Sequence, residues 1–347
     1  MATVGKKMNK KIIANAVFLI LLLGITLYYV FKGQDFKQIL TYIHGTKKQY
    51  LVLAFFMSLI FVCSESVIIH YLLRKMQIHV LLRDCIRYSF IGFFVSYITP
   101  SASGGQPAQM YFMKKDGIDL SISTLILMVV TIAYKFVLLF VGGLALLFDK
   151  HFIRVSVAGT CPIIWIGIVL NIIVISVLLI VIFKQSLAQK TVAALFIKLG
   201  KHGLIKNYEK KVMKLLRGIK KYENGAVYLK TNKRLMFNVF IITMFQRIAL
   251  FFITFLIYKA FGLSGYNAYQ IVALQTIISL AVDNLPLPGG MGITEGLYNI
   301  FFANIFGQIY LIPSLVLSRG ISFYVVLLIG GIITMISYMM KPRKQKE

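Results

Sequence analysis

The chain has 347 residues, 59% of them hydrophobic and only 14% charged, with a mean hydropathy of +0.81. That composition excludes a soluble domain and belongs to an integral membrane protein. The net charge of +27 comes from 38 Lys+Arg against 11 Asp+Glu, but the cations gather at the edges of apolar runs, so lipid headgroups and not nucleic acid are the expected partners.

The first apolar run, 12–31, follows Lys6, Lys7, Lys10 and Lys11. It is too long for a signal-peptide core and no small-residue cleavage site follows, so it reads as a retained first span. Runs 51–73, 122–148, 161–183, 235–261 and 312–340 are each long enough to span. Two further apolar stretches, 85–112 and 268–309, are interrupted. The first holds Thr99-Pro100-Ser101-Ala102-Ser103-Gly104-Gly105-Gln106-Pro107. The second holds Pro286-Leu287-Pro288-Gly289-Gly290-Met291-Gly292-Ile293-Thr294-Glu295-Gly296. Pro and Gly at this density cannot continue a helix. In hydrocarbon, the freed N–H and C=O groups must find partners inside the protein.

Charge sets the expected topology. Region 184–234 is the most basic in the chain, with only Glu209 and Glu223 opposing its cations. It and both termini are expected in the cytoplasm. That parity follows if 85–112 and 268–309 each dip in and return on the same side. The expected fold is an all-α polytopic membrane protein with about six full transmembrane spans plus two re-entrant hairpins. It comprises a first half, 1–183, a basic cytoplasmic linker, 184–234, and a second half, 235–347. A full crossing followed by another short helix in each half keeps the same parity. Gly104-Gly105 and Gly289-Gly290 lie 185 positions apart, and Lys135 and Arg319 184 apart. Gly142-Gly143 and Gly330-Gly331 follow those cations, and the pattern points to an inverted repeat. Within the linker, Val212, Leu215, Leu216 and Ile219 form one face of a basic amphipathic helix, suited to anionic inner-leaflet lipid.

The ionisable residues inside apolar runs are Glu65, Lys135, Arg247, Asp283, Glu295 and Arg319. A charge at mid-membrane costs about 2.5–3.5 kcal/mol on insertion scales. Such residues must pair, face the interior or line a wet cavity, and two readings stay open. In one they form structural ion pairs. In the other they line a lipid-headgroup site. There the breaks supply helix N-termini, close backbone approach and hydroxyls through Ser101, Ser103, Gly104, Gly105, Pro288, Gly289, Gly290 and Thr294. Lys135, Arg319 and Arg247 would hold a phosphate, and Asp283, Glu295 or Glu65 an ammonium. Cys63, Cys85 and Cys161 are scattered without metal spacing. No phosphate-binding loop, dinucleotide fingerprint or triad spacing occurs. No catalytic residue, metal or cofactor is therefore expected.

The motif residues resemble a known family. Thr99-Pro100 through Gly104-Gly105-Gln106-Pro107, with Lys115-Asp116-Gly117, is similar to the first signature of the lysylphosphatidylglycerol synthase membrane region, also called the flippase-like family. Pro286 through Glu295 resembles its P-x-P-G-G-x-G-x-x-E signature, and Arg319 with Ser322-Phe323-Tyr324 its arginine-aromatic segment. Gln106 departs from the pattern, standing where an acid is expected, and so does Lys135, where arginine is usual. The resemblance implies a bacterial plasma-membrane flippase for lysyl-phosphatidylglycerol or a related anionic phospholipid, contributing to surface charge and cationic-peptide resistance. The chain stops at Glu347, so the cytosolic lysyltransferase domain of long members is expected to be absent. A membrane-embedded transferase or transferase subunit, a scaffold for a separate synthase, and a homodimer are the other arrangements considered.

Overall fold

A computed structural model describes residues 36–183, 227–228 and 231–340. The expected first span, 12–31, and nearly all of the basic linker, 184–234, lie outside the described residues. The described residues are helical throughout, with no β-strand. A short helix, α1 (Phe36–His44), leads into α2 (Lys48–Lys75). Then come α3 (Leu82–Tyr97), a single 3-10 turn (Pro100–Ala102), α4 (Gly105–Lys115) and α5 (Leu120–Phe148). Next come α6 (Lys150–Ser156) and α7 (Cys161–Phe183). The second half runs through α8 (Lys233–Ala260), α9 (Ala268–Val282), a second 3-10 turn (Pro288–Gly290), α10 (Ile293–Arg319), a π-helical turn (Gly320–Tyr324) and α11 (Val325–Met339).

Five helical stretches among the described residues are long and apolar enough to cross a membrane: Lys48–Lys75, Leu120–Phe148, Cys161–Ile182, Lys233–Ala260 and Pro288–Met339. Their ends carry local polar chemistry. Asp119 accepts from Ser121 N at the start of α5, Asn232 from Leu235 N at α8, and Asn267 forms a capping box with Gln270 at α9. Each satisfies N–H groups that have no intrahelical partner. The last stretch is not one helix, because Gly307 (φ 64°, ψ 173°) breaks α10. Gly307 lies inside the expected hairpin 268–309, just before the expected span 312–340.

The segment 82–115 is an antiparallel hairpin. Arg87 and Tyr88 meet Asp116 at its base; the Tyr88 hydroxyl donates to Asp116 at 2.6 Å and Arg87 forms an ion pair with it. Gly92 faces Gln109 midway, and Gly105 faces Ser96 near the tip. Helices α2 and α8, both 28 residues long, run antiparallel to each other. Gln246 donates to the Phe61 carbonyl at 3.0 Å and Asn238 to the Tyr71 hydroxyl at 3.0 Å. These polar contacts join apolar helices that the bilayer alone does not drive together. One apolar core surrounds the first hairpin, with Ile69, Tyr88, Met113, Leu125 and Val239, and another the second, with Ile257, Leu274, Phe302 and Ala145. Helix α7 is exposed along Trp165, Ile166, Val169, Ile172 and Ile173, as a lipid-facing helix is.

The two broken turns match in backbone detail. Thr99 and Leu287 are extended (φ −118° each), Pro100 and Pro288 follow, and Ser101 (φ 52°) and Gly289 (φ 57°) are left-handed. Ala102 (φ 52°) and Gly290 (φ 66°) come next, and Gly104 and Gly292 are the N-caps of α4 and α10. These residues are 188 positions apart, as are Gly142 and Gly330. In this register Gly289 corresponds to Ser101 and Gly104 to Gly292, not Gly104-Gly105 to Gly289-Gly290; Gly104 has φ −84°. In the same register Arg319 corresponds to Thr131, not to Lys135.

Candidate functional site

The tips of the two hairpins meet at the centre. The 3-10 turns pack against each other, and the Ser101 hydroxyl donates to the Leu285 carbonyl at 3.3 Å. Beside them lies a cavity of about 640 Å³. Its walls come from both halves: α2, α3, α4 and α5 on one side, α8, α9, α10 and the π-helical turn on the other.

Most of the sequence-predicted residues converge on this cavity. Glu65, Ser101, Ser103, Lys135, Arg247, Asp283, Gly289, Gly290, Thr294 and Arg319 all line it. Gly104, Gly105, Pro288 and Glu295 do not. Gly105 is buried inside the first hairpin, where an added Cβ would stand 2.7 Å from the Gly92 carbonyl. The Gly104 N–H donates to the Thr99 hydroxyl at 3.0 Å. Pro288 is buried in its turn. Gly289 is needed where it stands: its φ is left-handed, and a Cβ would strike the ring of Phe323.

Two buried ion pairs hold the site. Lys135 Nζ lies 2.6 Å from Asp283 Oδ2 and 2.7 Å from Asn284 Oδ1, and Tyr134 donates to the other Asp283 oxygen. This pair ties α5 of the first half to the end of α9 of the second. Arg319 Nε lies 2.6 Å from Glu295 Oε1, and its Nη2 donates to the Gly289 carbonyl at 3.2 Å. Glu295 Oε2 accepts from Gly292 N at 2.6 Å. The N-terminus of α10, expected to receive a ligand anion, is thus occupied by its own carboxylate. In the first half, Gln106 donates to Thr131. Thr131, which stands in register with Arg319, is thus held by a neutral amide.

The remaining two charges, Arg247 and Glu65, act on each other through space but form no ion-pair contact. Arg247 lies over the Tyr134 ring, 3.5 Å from its centroid, and 5.2 Å from that of Phe61. Its Nε is buried without a hydrogen-bond partner. Glu65 Oε1 accepts from Gln109 Nε2 at 2.7 Å. Neither forms a salt bridge among the described residues. Sequence reasoning missed Tyr134, Asn284, Asn171 and Gln109. Tyr134 and Asn284 adjoin Lys135 and Asp283. Asn171 is a lone amide in an apolar span, itself a signal of an interior face. It accepts from Lys135 at 3.4 Å and donates to the Leu280 carbonyl at 3.3 Å. Among the described residues, no cluster of His, Cys, Asp and Glu is arranged to hold a metal ion.

The family described as the lysylphosphatidylglycerol synthase TM region matches residues 12–330. The UPF0104 membrane protein of Pyrococcus horikoshii is 25% identical over 327 residues, covering 92% of this chain and 96% of the relative. The chain belongs to the lysylphosphatidylglycerol synthase TM region family. It is a multi-pass plasma-membrane protein of the flippase-like kind, and it handles membrane phospholipid.

Proposed function

We propose that this chain is a phospholipid translocator whose headgroup path is the cavity between the two broken hairpins. The cavity itself carries the reading. It joins charged and hydroxyl side chains to the two Pro/Gly breaks in the apolar stretches, and a headgroup needs such a polar enclosure to cross hydrocarbon. The lipid tails stay outside in the bilayer. The cargo is a phospholipid whose headgroup presents phosphate and amine together. Arg247 is the phosphate holder. Arg319 and Lys135, each matched by its own carboxylate, shape the cavity.

In this reading the hairpins 82–115 and 268–306 are re-entrant, and the two halves are an inverted repeat. The antiparallel pairing of α2 with α8 and the shared backbone pattern of the two turns support it. The first hairpin's base, with Arg83, Arg87, Lys114 and Lys115, faces the cytoplasm together with 184–234 and both termini. The experiment is reconstitution of the purified full chain into liposomes carrying labelled phospholipid in one leaflet, with no donor substrate or transferase added. Movement of label to the other leaflet faster than in empty liposomes is the expected result. No acceleration with any phospholipid would overturn the reading.

A further inference from the structure

Six ionisable side chains lie in or against the cavity wall, and four of them are already matched in two pairs, Lys135 with Asp283 and Arg319 with Glu295. The other two, Arg247 and Glu65, are of opposite sign and face the same space. The ring contacts of Arg247 satisfy the face of its guanidinium. They leave its in-plane N–H donors unfilled, and the buried Nε has no acceptor. The Asn284 amide nitrogen, also on the cavity wall, is likewise buried without an acceptor. Glu65 accepts from the Gln109 amide, with the Ser89 hydroxyl nearby, and feels Arg247 through space without an ion-pair contact, where a carboxylate has room for about four donors. A buried donor or charge left unfilled costs more than a made hydrogen bond returns. Arg247 and Glu65 therefore face the cavity with opposite charges and no direct ion-pair contact, which leaves room for an anion at one and a cation at the other.

We infer that the cavity takes a headgroup carrying one phosphodiester and one ammonium, net zero, with Arg247 and the Asn284 amide receiving the phosphate and Glu65 the ammonium. The charge count sets the class. A plain anionic headgroup leaves Glu65 unmatched. A headgroup with two ammoniums, such as a lysyl ester, brings one more cation than the free carboxylate can take. Opening either existing pair to accommodate it strands another buried charge. The inference rests on the translocator reading only for the source of the headgroup, a lipid.

The test is native mass spectrometry of the purified full chain. The probes are phosphatidylethanolamine, phosphatidylglycerol, lysyl-phosphatidylglycerol and the soluble headgroup glycerophosphoethanolamine, at equal concentration. The wild-type protein is expected to retain phosphatidylethanolamine about ten-fold or more over each of the other lipids. Glu65→Gln is expected to erase the preference over phosphatidylglycerol, and Arg247→Gln to lower retention of every phospholipid. Arg247→Lys, which keeps the charge, is expected to retain more lipid than Arg247→Gln. Equal retention of the three lipids by the wild-type protein overturns the inference without reference to any variant. Retention of the soluble headgroup as strong as that of the lipid overturns the lipid source. Translocation in liposomes without headgroup preference would defeat this inference and leave the translocator reading standing. Selective binding without translocation would do the reverse.

Discussion

Among single residues, the six charges of the cavity region are legible in the sequence because a charge in an apolar run stands out. Their partners are not, because Lys135 and Asp283 lie 148 positions apart and only the packing of α5 against α9 brings them together. Glu295 and Arg319 form an ion pair, reinforced by the Gly292 N–H. Arg319→Gln or Glu295→Gln should each lower stability by about 3–5 kcal/mol, because each strands a buried charge. The double change should cost less than the sum of the two. Melting curves of the four proteins give the coupling directly, and additive losses would contradict the pairing. Ala102 is a second residue-scale case. It is left-handed where its counterpart Gly290 carries no Cβ, and such a conformation costs a non-glycine residue about 1–2 kcal/mol. Ala102→Gly should therefore raise the melting temperature, against the usual entropic cost of glycine, while Gly289→Ala should lower it.

For the elements, the sequence marks the hairpins by their Pro and Gly breaks and the long helices by their apolar length. It misplaces the register, because glycine pairs recur for unrelated reasons: Gly104 is a cap, whereas Gly289 is a left-handed turn residue. The later glycines serve a third purpose, close approach of a long helix to the opposite half's hairpin. Gly330 of α11 faces the Phe90 carbonyl, where an added Cβ would stand 2.8 Å away, and Gly142 of α5 faces the side chain of Leu280. Backbone cannot yield as a leucine tip can. Gly330→Ala should therefore cost markedly more stability than Gly142→Ala, by about 1–3 kcal/mol for the overpacked site. Equal melting temperatures would contradict the close packing of α11 on α3. The re-entrant hairpin has its own check. Cysteines replacing the exposed Lys75 and Lys114 should both react with an impermeant reagent from the same side of the membrane. Reaction from opposite sides would make 82–115 a full crossing.

On the scale of the whole molecule, two antiparallel long helices, two hairpins meeting tip to tip and a charged cavity between them form one arrangement. The sequence could announce each component through composition and motif. Their convergence depends on contacts across more than a hundred residues, such as Ser101 with Leu285. The central claim is that a headgroup passes between the hairpin tips. A reversible lock tests it on one protein. In a chain whose three native cysteines are replaced by serine or alanine, Ser101→Cys and Leu285→Cys test a cross-link where the first turn meets the Leu285 backbone. The rate of labelled-phospholipid movement in proteoliposomes is then measured oxidised and again after reduction. The account predicts that oxidation brings the rate to that of empty liposomes and that reduction restores it. An oxidised, cross-linked protein that moves lipid at the reduced rate would contradict it.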